Sequence, residues 1–225
     1  MKSFFRKTFN FSRHGRVSSK GGHSAFGGNF QLITKIMLIE IEYSNRHIHI
    51  SRGLLEKLFG PEYQLSIEKK LSQGEDFSAK ETLTIMGPKE KIENVRIIGP
   101  EREKTQIEIL KSDAFRLGIE VPIKISGDLE NTPGIKIIGP LGEADLDNGV
   151  IIAKRHLHIA PDEAKKLKLK NNQKLKLKIK GERALIFDEI IVRIKKGYTT
   201  KIHLDIEEAN AGNISQNDKG KLLID

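Results

Sequence analysis

Residues 174–180 read Lys174-Leu175-Lys176-Leu177-Lys178-Ile179-Lys180, a strict alternation of charged and apolar side chains. Successive residues of a strand point to opposite faces, so this stretch sets three aliphatic side chains on one face and lysines on the other, as a half-buried strand does. The same period of two appears just upstream in Leu167-Lys168-Leu169, and Asn171-Asn172-Gln173 between them reads as a hairpin turn. Further out, Leu38-Ile39-Glu40-Ile41-Glu42-Tyr43 is strand-like, and Ile48 and Ile50 alternate with histidines. Helical spacing is confined to residues 52–58, 112–117, 161–167 and 207–211, each only a few turns long. The chain is therefore expected to be mainly β, with short capping helices, rather than a helical bundle or a succession of βαβ units.

An internal repeat organises these strands. Arg46-His47-Ile48-His49-Ile50 recurs as Arg155-His156-Leu157-His158-Ile159, and a short helical stretch follows each copy. A second echo, Val95-Arg96-Ile97-Ile98-Gly99-Pro100 against Ile135-Lys136-Ile137-Ile138-Gly139-Pro140, has the same strand-then-turn grammar at a different spacing. Two related β-barrel modules of ordinary domain size are expected, 37–150 and 151–225, sharing strands within one unit.

Composition excludes several functions. The chain has 225 residues and no cysteine, which removes disulfides, cysteine-type zinc fingers and thiol nucleophiles together. Every apolar run is interrupted by Lys or Glu well short of a membrane-spanning length, so no membrane partner is expected. The net charge of +9 suggests nucleic acid, but seven of the 39 basic residues precede the first acidic one, Glu40. The remaining body is close to neutral and, with three Tyr and no Trp, lacks the basic stripe and stacking platforms of a nucleic-acid binder.

Residues 1–36 form a separate zone rich in Phe, Ser, Gly and Arg, with Gly21-Gly22 and Gly27-Gly28 pairs. They read as a flexible tail or leader, and Met37 stands just before the first strand. Cytoplasmic residence is expected, with a docking peptide for a bacterial microcompartment as the alternative role of the tail. His14 and His23 in this zone are given no role.

The other five histidines carry the chemistry. Residues two apart on a strand share a face, so His47 with His49, and His156 with His158, can each present two imidazoles to one metal ion. His203 lies in a further strand-like run, Lys201-Ile202-His203-Leu204-Asp205. A catalytic zinc usually takes three protein ligands and keeps one position open. Five histidines are one short of two such sites, and Glu108 in Thr105-Gln106-Ile107-Glu108-Ile109 is the best-placed carboxylate to complete them. Asp205 with Glu208 reads instead as a capping box opening the last helix, and Asp162-Glu163 as acids in a first turn.

With these motifs in order, Ser44 to Ser51, Gly99-Pro100-Glu101-Arg102 leading to Glu108, Arg155 to His158 and His203 to Ala211, residues 38–215 resemble the PduL-type phosphate propanoyltransferases. The resemblance implies paired β-barrels capped by short helices, two divalent metal ions, usually zinc, and reversible exchange of a propanoyl or acetyl group between coenzyme A and phosphate. It assigns His47, His49 and Glu108 to one metal, and His156, His158 and His203 to the other. It places Arg102 on the phosphate as the catalytic arginine. It gives Tyr43, Ser44, Asn45, Lys89, Arg96 and Asn210 to coenzyme A. Homodimer formation and a kinase that consumes the acyl phosphate are the partners expected with it.

Without a thiol, direct attack of metal-held phosphate on the thioester is the simplest route, and it needs no protein base. A dinuclear metal-dependent hydrolase using the same six ligands is the alternative, and a non-catalytic metal-binding or shell-associated protein is a third reading. Arg102 and the coenzyme-facing basic residues favour the transferase, since metal storage would need neither.

Overall fold

The structure is a computed structural model that describes residues 35–224 of the chain. The expected tail at 1–36, with His14 and His23, therefore lies almost wholly outside the described residues. The chain begins with β1 (Lys35–Ser44) and β2 (His47–His49), which feeds α1 (Arg52–Phe59). It continues through β3 (Ile67–Lys70), β4 (Phe77–Met86), β5 (Lys91–Gly99), β6 (Gln106–Glu108) and α2 (Lys111–Leu117). Four short strands follow, β7 (Ile123–Lys124), β8 (Ile135–Gly139), β9 (Gly142–Leu146) and β10 (Val150–Ala153). Then come β11 (His156–Ile159), α3 (Pro161–Leu167), β12 (Lys174–Ile179), β13 (Leu185–Ile194), β14 (Lys201–Asp205), α4 (Ile206–Ala211) and β15 (Lys219–Ile224).

Alternation does in the structure what it implies in the sequence. In β12, Leu175, Leu177 and Ile179 are buried and the intervening lysines exposed. In β2 and β11, Ile48 and Leu157 are fully buried behind the histidines, each in its own core. Burying such a side chain is worth roughly 1.5–3 kcal/mol, so a one-residue slip of either strand would forfeit several such terms and invert the histidines. Register is thereby fixed by packing.

Strands β1, β14, β11, β13, β12 and β15 close into a barrel. The others run β7, β10, β6, β2, β5, β4, β8, β9 in an open sheet, with β3 added to β4, which curls as a half-barrel. The mainly β expectation holds, with one module closed and the other open. The modules exchange strands across the expected boundaries, since β1 pairs with β14 and β15 in the barrel, while β10 pairs with β6 and β7 in the sheet. Both lie within one compact unit. The echo between β5 and β8 has a different meaning from the histidine repeat: both strands flank β4 in the same sheet.

All four expected helices form, and their ends follow local chemistry. Pro161 occupies the first turn of α3, where its missing N–H costs nothing, with Asp162 and Glu163 beside it. At α4 the Asp205 carboxylate accepts from Glu208 N at 2.7 Å and Glu208 accepts from Asp205 N at 3.2 Å, the capping box expected there. One expectation fails. Leu167-Lys168-Leu169 is no strand: Leu167 ends α3, Lys168 turns left-handed at φ 59°, and Leu169 N returns to Ala164 O at 2.9 Å. The residues 171–173 therefore join a helix to β12 rather than closing a hairpin, and β12 pairs with β13 and β15. A helix end capped by a left-handed residue happened to share the period of the strand beyond it.

Candidate active site

The repeated motif is repeated in its pairings. β2 lies parallel to β5 and antiparallel to β6, and β11 lies parallel to β13 and antiparallel to β14. In the antiparallel ladders, His47 stands opposite Glu108 as His156 stands opposite His203. Glu108 is thus the positional counterpart of the fifth histidine. Two triads result, His47, His49 and Glu108 in the sheet and His156, His158 and His203 in the barrel, and in each the ligand atoms lie within 4.8 Å of one another.

Ring orientation is set from behind. His47 Nδ1 lies 2.8 Å from Asn45 O, and His156 Nδ1 lies 2.8 Å from Lys154 O. A carbonyl only accepts, so both rings carry their proton on Nδ1 and turn an Nε2 lone pair forward. His47 Nε2 approaches Glu108 Oε2 to 3.4 Å, and His49 Nε2 lies 4.0 Å from Oε1. His49 Nδ1 and both ring nitrogens of His158 are buried with no hydrogen-bond partner. Such unpartnered atoms are costly in a protein interior unless a ligand completes them.

Electrostatics point the same way. Burial, followed by the charge of neighbouring His47 and Arg102, drives His49 well below the usual imidazole range. Burial with the charge of His203 lowers His156 to about 3, and burial with Lys201 lowers His203 to about 4, while His158 is pushed down still further. These imidazoles are neutral near pH 7, the form that ligates metal. Burial would raise the Glu108 carboxyl, but His47, a hydrogen bond from Ser126, His156 and Arg102 together hold it below the usual range. The triads therefore differ by one negative charge. Neutral imidazoles, one carboxylate and orphaned buried nitrogens suit divalent transition metals, and among the described residues these are the two clusters that could hold them.

Arg102 N donates to Ile50 O at 2.9 Å, one residue beyond the first histidine pair. Its half-buried guanidinium lies 3.9 Å from Asp76 Oδ2. The charge of Arg102 is felt by His49 and Glu108 of the first triad. The turn before it begins at Gly99, where a Cβ would run into the Phe77 ring.

The residues expected to meet coenzyme A are more dispersed. Tyr43 exchanges backbone hydrogen bonds with the Gln216 amide at 3.3 and 2.7 Å, and Ser44 and Asn45 are exposed immediately before the first triad. Arg96 stands beside His47 across β2 and β5, and its guanidinium donates to Ala79 O and Lys80 O at 3.0 and 2.9 Å. Lys89 lies in the β4–β5 turn with its ammonium 5.5 Å from the Phe115 ring centre, and Asn210 is exposed on α4. A groove of about 550 Å³ is lined by Met37, Leu38, Glu163, Thr200 and Lys201 and by none of the six triad residues.

Sequence reasoning missed several residues at the triads. Gln106, 2% exposed, donates to Glu108 Oε1 at 2.6 Å and to Ser126 Oγ at 2.8 Å. Tyr198 stacks on His158 with ring centres 3.9 Å apart. Arg46 and Arg155, noted as part of the repeat, form matching ion pairs with Asp113 and Glu208 at 2.7 and 2.9 Å. Each acid lies five residues beyond the ligand opposite the first histidine, so the supports repeat as the ligands do.

A family model described as phosphate propanoyltransferase matches residues 40–215. The phosphate propanoyltransferase of Thermotoga maritima is 47% identical over 190 residues, 84% of this chain and 90% of that protein. That of Enterococcus faecalis is 43% identical over 184 residues, covering 82% and 87%. That of Clostridioides difficile is 42% identical over 191 residues, covering 85% and 91%.

Proposed function

The chain belongs to the phosphate propanoyltransferase family, and from that premise we propose how its residues exchange a propanoyl or acetyl group between coenzyme A and phosphate. The observation that carries the reading is the pair of triads related by the same ladder position, one with a carboxylate and one without.

His47, His49 and Glu108 would hold one divalent ion and His156, His158 and His203 the other, with zinc the metal best suited to imidazole and carboxylate donors. Bound there, the ions would supply Lewis acidity toward the thioester carbonyl and the phosphate, and a soft partner for the departing thiolate. The protein's part is to hold and orient. The Asn45 and Lys154 carbonyls fix the ring tautomers. Arg102 offers a planar fork for two phosphate oxygens from a half-buried position, where a charge-assisted hydrogen bond is stronger than in water. No side-chain base is required, because phosphate is already anionic at neutral pH.

Tyr43, Ser44, Asn45, Lys89, Arg96 and Asn210 are proposed to meet coenzyme A. Supporting this, Ser44 and Asn45 are exposed beside the first triad, and Lys89 keeps an exposed ammonium. Arg96 would have to share donors already given to Ala79 and Lys80. A homodimer is proposed with the activity; Phe115, 80% exposed on α2, is a large apolar side chain in search of cover. The acyl phosphate formed calls for a kinase that consumes it. Cytoplasmic residence, or microcompartment delivery by residues 1–36, is proposed with them, and no described helix is long and apolar enough to cross a membrane.

The test follows acyl phosphate, trapped with hydroxylamine, as phosphate is varied with acetyl- and propanoyl-coenzyme A. Phosphate-dependent release of coenzyme A with stoichiometric hydroxamate is expected. Release at the same rate without phosphate would make the protein a hydrolase.

A further inference from the structure

The β3–β4 turn reaches out of the sheet and into the barrel's triad. It is closed by Leu71 N to Asp76 O at 2.9 Å and Asp76 N to Gln73 O at 3.0 Å. Its Gln73 side chain is 8% exposed, buried not within its own module but against the β13–β14 connection. Gln73 Oε1 accepts from Thr199 N at 3.3 Å, Nε2 donates to Thr199 O at 3.3 Å, and Nε2 lies 3.0 Å from His203 Nε2.

Thr199 fixes which way round the amide sits. A backbone N–H only donates and a carbonyl only accepts, so the Gln73 oxygen must face Thr199 N and its NH2 must face Thr199 O and His203. The NH2 is therefore the donor to the imidazole, and His203 Nε2 is the unprotonated nitrogen. That lone pair is the one His203 can offer to an ion held with His156 and His158. An amide N–H and a metal ion cannot share it. An ion held by these three histidines would take that lone pair and turn the amide aside about its two long Thr199 hydrogen bonds, leaving the N–H free for an oxygen of an anion bound beside His203.

The surroundings decide what that oxygen belongs to. Arg193 stands next to His158 across the β11–β13 ladder and has no ion-pair partner among the described residues. Asp76, on the same turn as Gln73, faces Arg102. A donor N–H and the unpaired Arg193 guanidinium, with no carboxylate inside the second triad, favour an anion with several acceptor oxygens.

We propose that Gln73 is a phosphate-binding residue, its clamped amide N–H donating to an oxygen of the phosphate acceptor at the His156, His158 and His203 cluster. This rests on the acyl-transfer reading above. The experiment titrates inorganic phosphate, and separately coenzyme A, into metal-loaded protein by calorimetry, with metal content measured alongside. Gln73→Leu should weaken phosphate binding about tenfold or more, the usual scale for a lost hydrogen bond to a charged group. Coenzyme A affinity and metal content should stay unchanged, and the steady-state defect should fall on KM for phosphate. Gln73→Glu keeps the shape but replaces the donor with an anionic acceptor. It should lose phosphate binding further while holding its metal, and it decides the matter if the leucine variant fails to fold. Phosphate affinity within twofold of the parent in either variant overturns the proposal. So does metal loss or an equal loss of coenzyme A affinity, which would make Gln73 a brace for the cluster. A parent that binds coenzyme A but no phosphate would instead sink the acyltransferase reading itself, and this inference with it.

Discussion

Glu108 stands directly opposite His47 in the β2–β6 ladder, and its Oε2 comes within 3.4 Å of His47 Nε2. The corresponding position of the barrel, opposite His156, is filled by His203. The two modules thus build a candidate metal-binding triad from one backbone plan with a single change of donor.

A prediction follows for exchanging that donor. Protein with intact clusters should hold about two metal ions per chain, three ligands to each. Glu108→Ala should bring elemental analysis down toward one, and Glu108→His, which copies the barrel's set, should restore the second ion. If Glu108→Ala retains both ions, the carboxylate is not a ligand.

His156→Ala should remove only the other ion, because its ring nitrogen lies within 4.8 Å of those of His158 and His203 and is grouped with none of the first triad. In a cobalt-loaded sample the absorption of one site should vanish while the other persists. Simultaneous loss of both would mean that the clusters do not load independently.

Arg102→Lys should raise the phosphate concentration needed for half-maximal rate sharply, while metal content and coenzyme A affinity stay close to the parent's. An ammonium keeps the charge but cannot present two parallel N–H groups, and losing such a contact costs on the order of 2–4 kcal/mol. Steady-state kinetics with phosphate varied would show it. An unchanged phosphate KM would take Arg102 off the substrate.

The paired braces should fail unequally. The Asp113 side chain is 1% exposed, and its Oδ1 has no partner, so Arg46→Ala strands a buried carboxylate at a cost of about 3–5 kcal/mol. Arg155→Ala should cost only about 1–2 kcal/mol, because the Glu208 side chain is 20% exposed and can escape by taking up a proton. Urea unfolding of the two variants decides it, and equal losses would refute the argument.

Glu208 also makes a forecast for pH. Burial, outweighing the Arg155 guanidinium, raises its carboxyl from 4.5 to about 7. Between those values the unfolded chain has released a proton that the folded chain still holds, so this group's contribution makes stability fall as pH rises from 4.5 toward 7. Glu208→Gln should remove that fall, on the order of 2 kcal/mol across the window. Parallel pH–stability curves for parent and variant would count against it.

Much of this was legible in the chain before any coordinate. The HxH pairs could be read because a strand's period puts both rings on one face whatever the strand pairs with. The four helices could be read because helical spacing, the acids after Pro161 and the Asp205 and Glu208 pair act within a few residues. Leu167 to Leu169 misled because two residues of helix end and one of loop imitate an alternation. Gln106 lies two residues before Glu108 on the same strand, so the period that picked out the histidine pairs also puts it on that face. Gln73 gave no signal at all, because it reaches His203 only through strand pairings set by distant residues, and a lone glutamine in a turn looks like solvent-facing polarity. The placement of β1 in the barrel belongs to the same class, since no local pattern names a strand's neighbours.

That placement has a consequence for how the protein comes to be. β1 is among the first described segments to be synthesised, yet its ladder partners β14 and β15 are nearly the last. The half-barrel can assemble while the chain is still growing, but the barrel cannot seal until its final strand has left the ribosome. Until then Ile39 and Ile41 have no core to enter, and the His156 cluster lacks His203. Completion of the second candidate metal cluster is therefore a late event, and any truncation near the carboxyl terminus would reopen a seam whose other lip was laid down at the start.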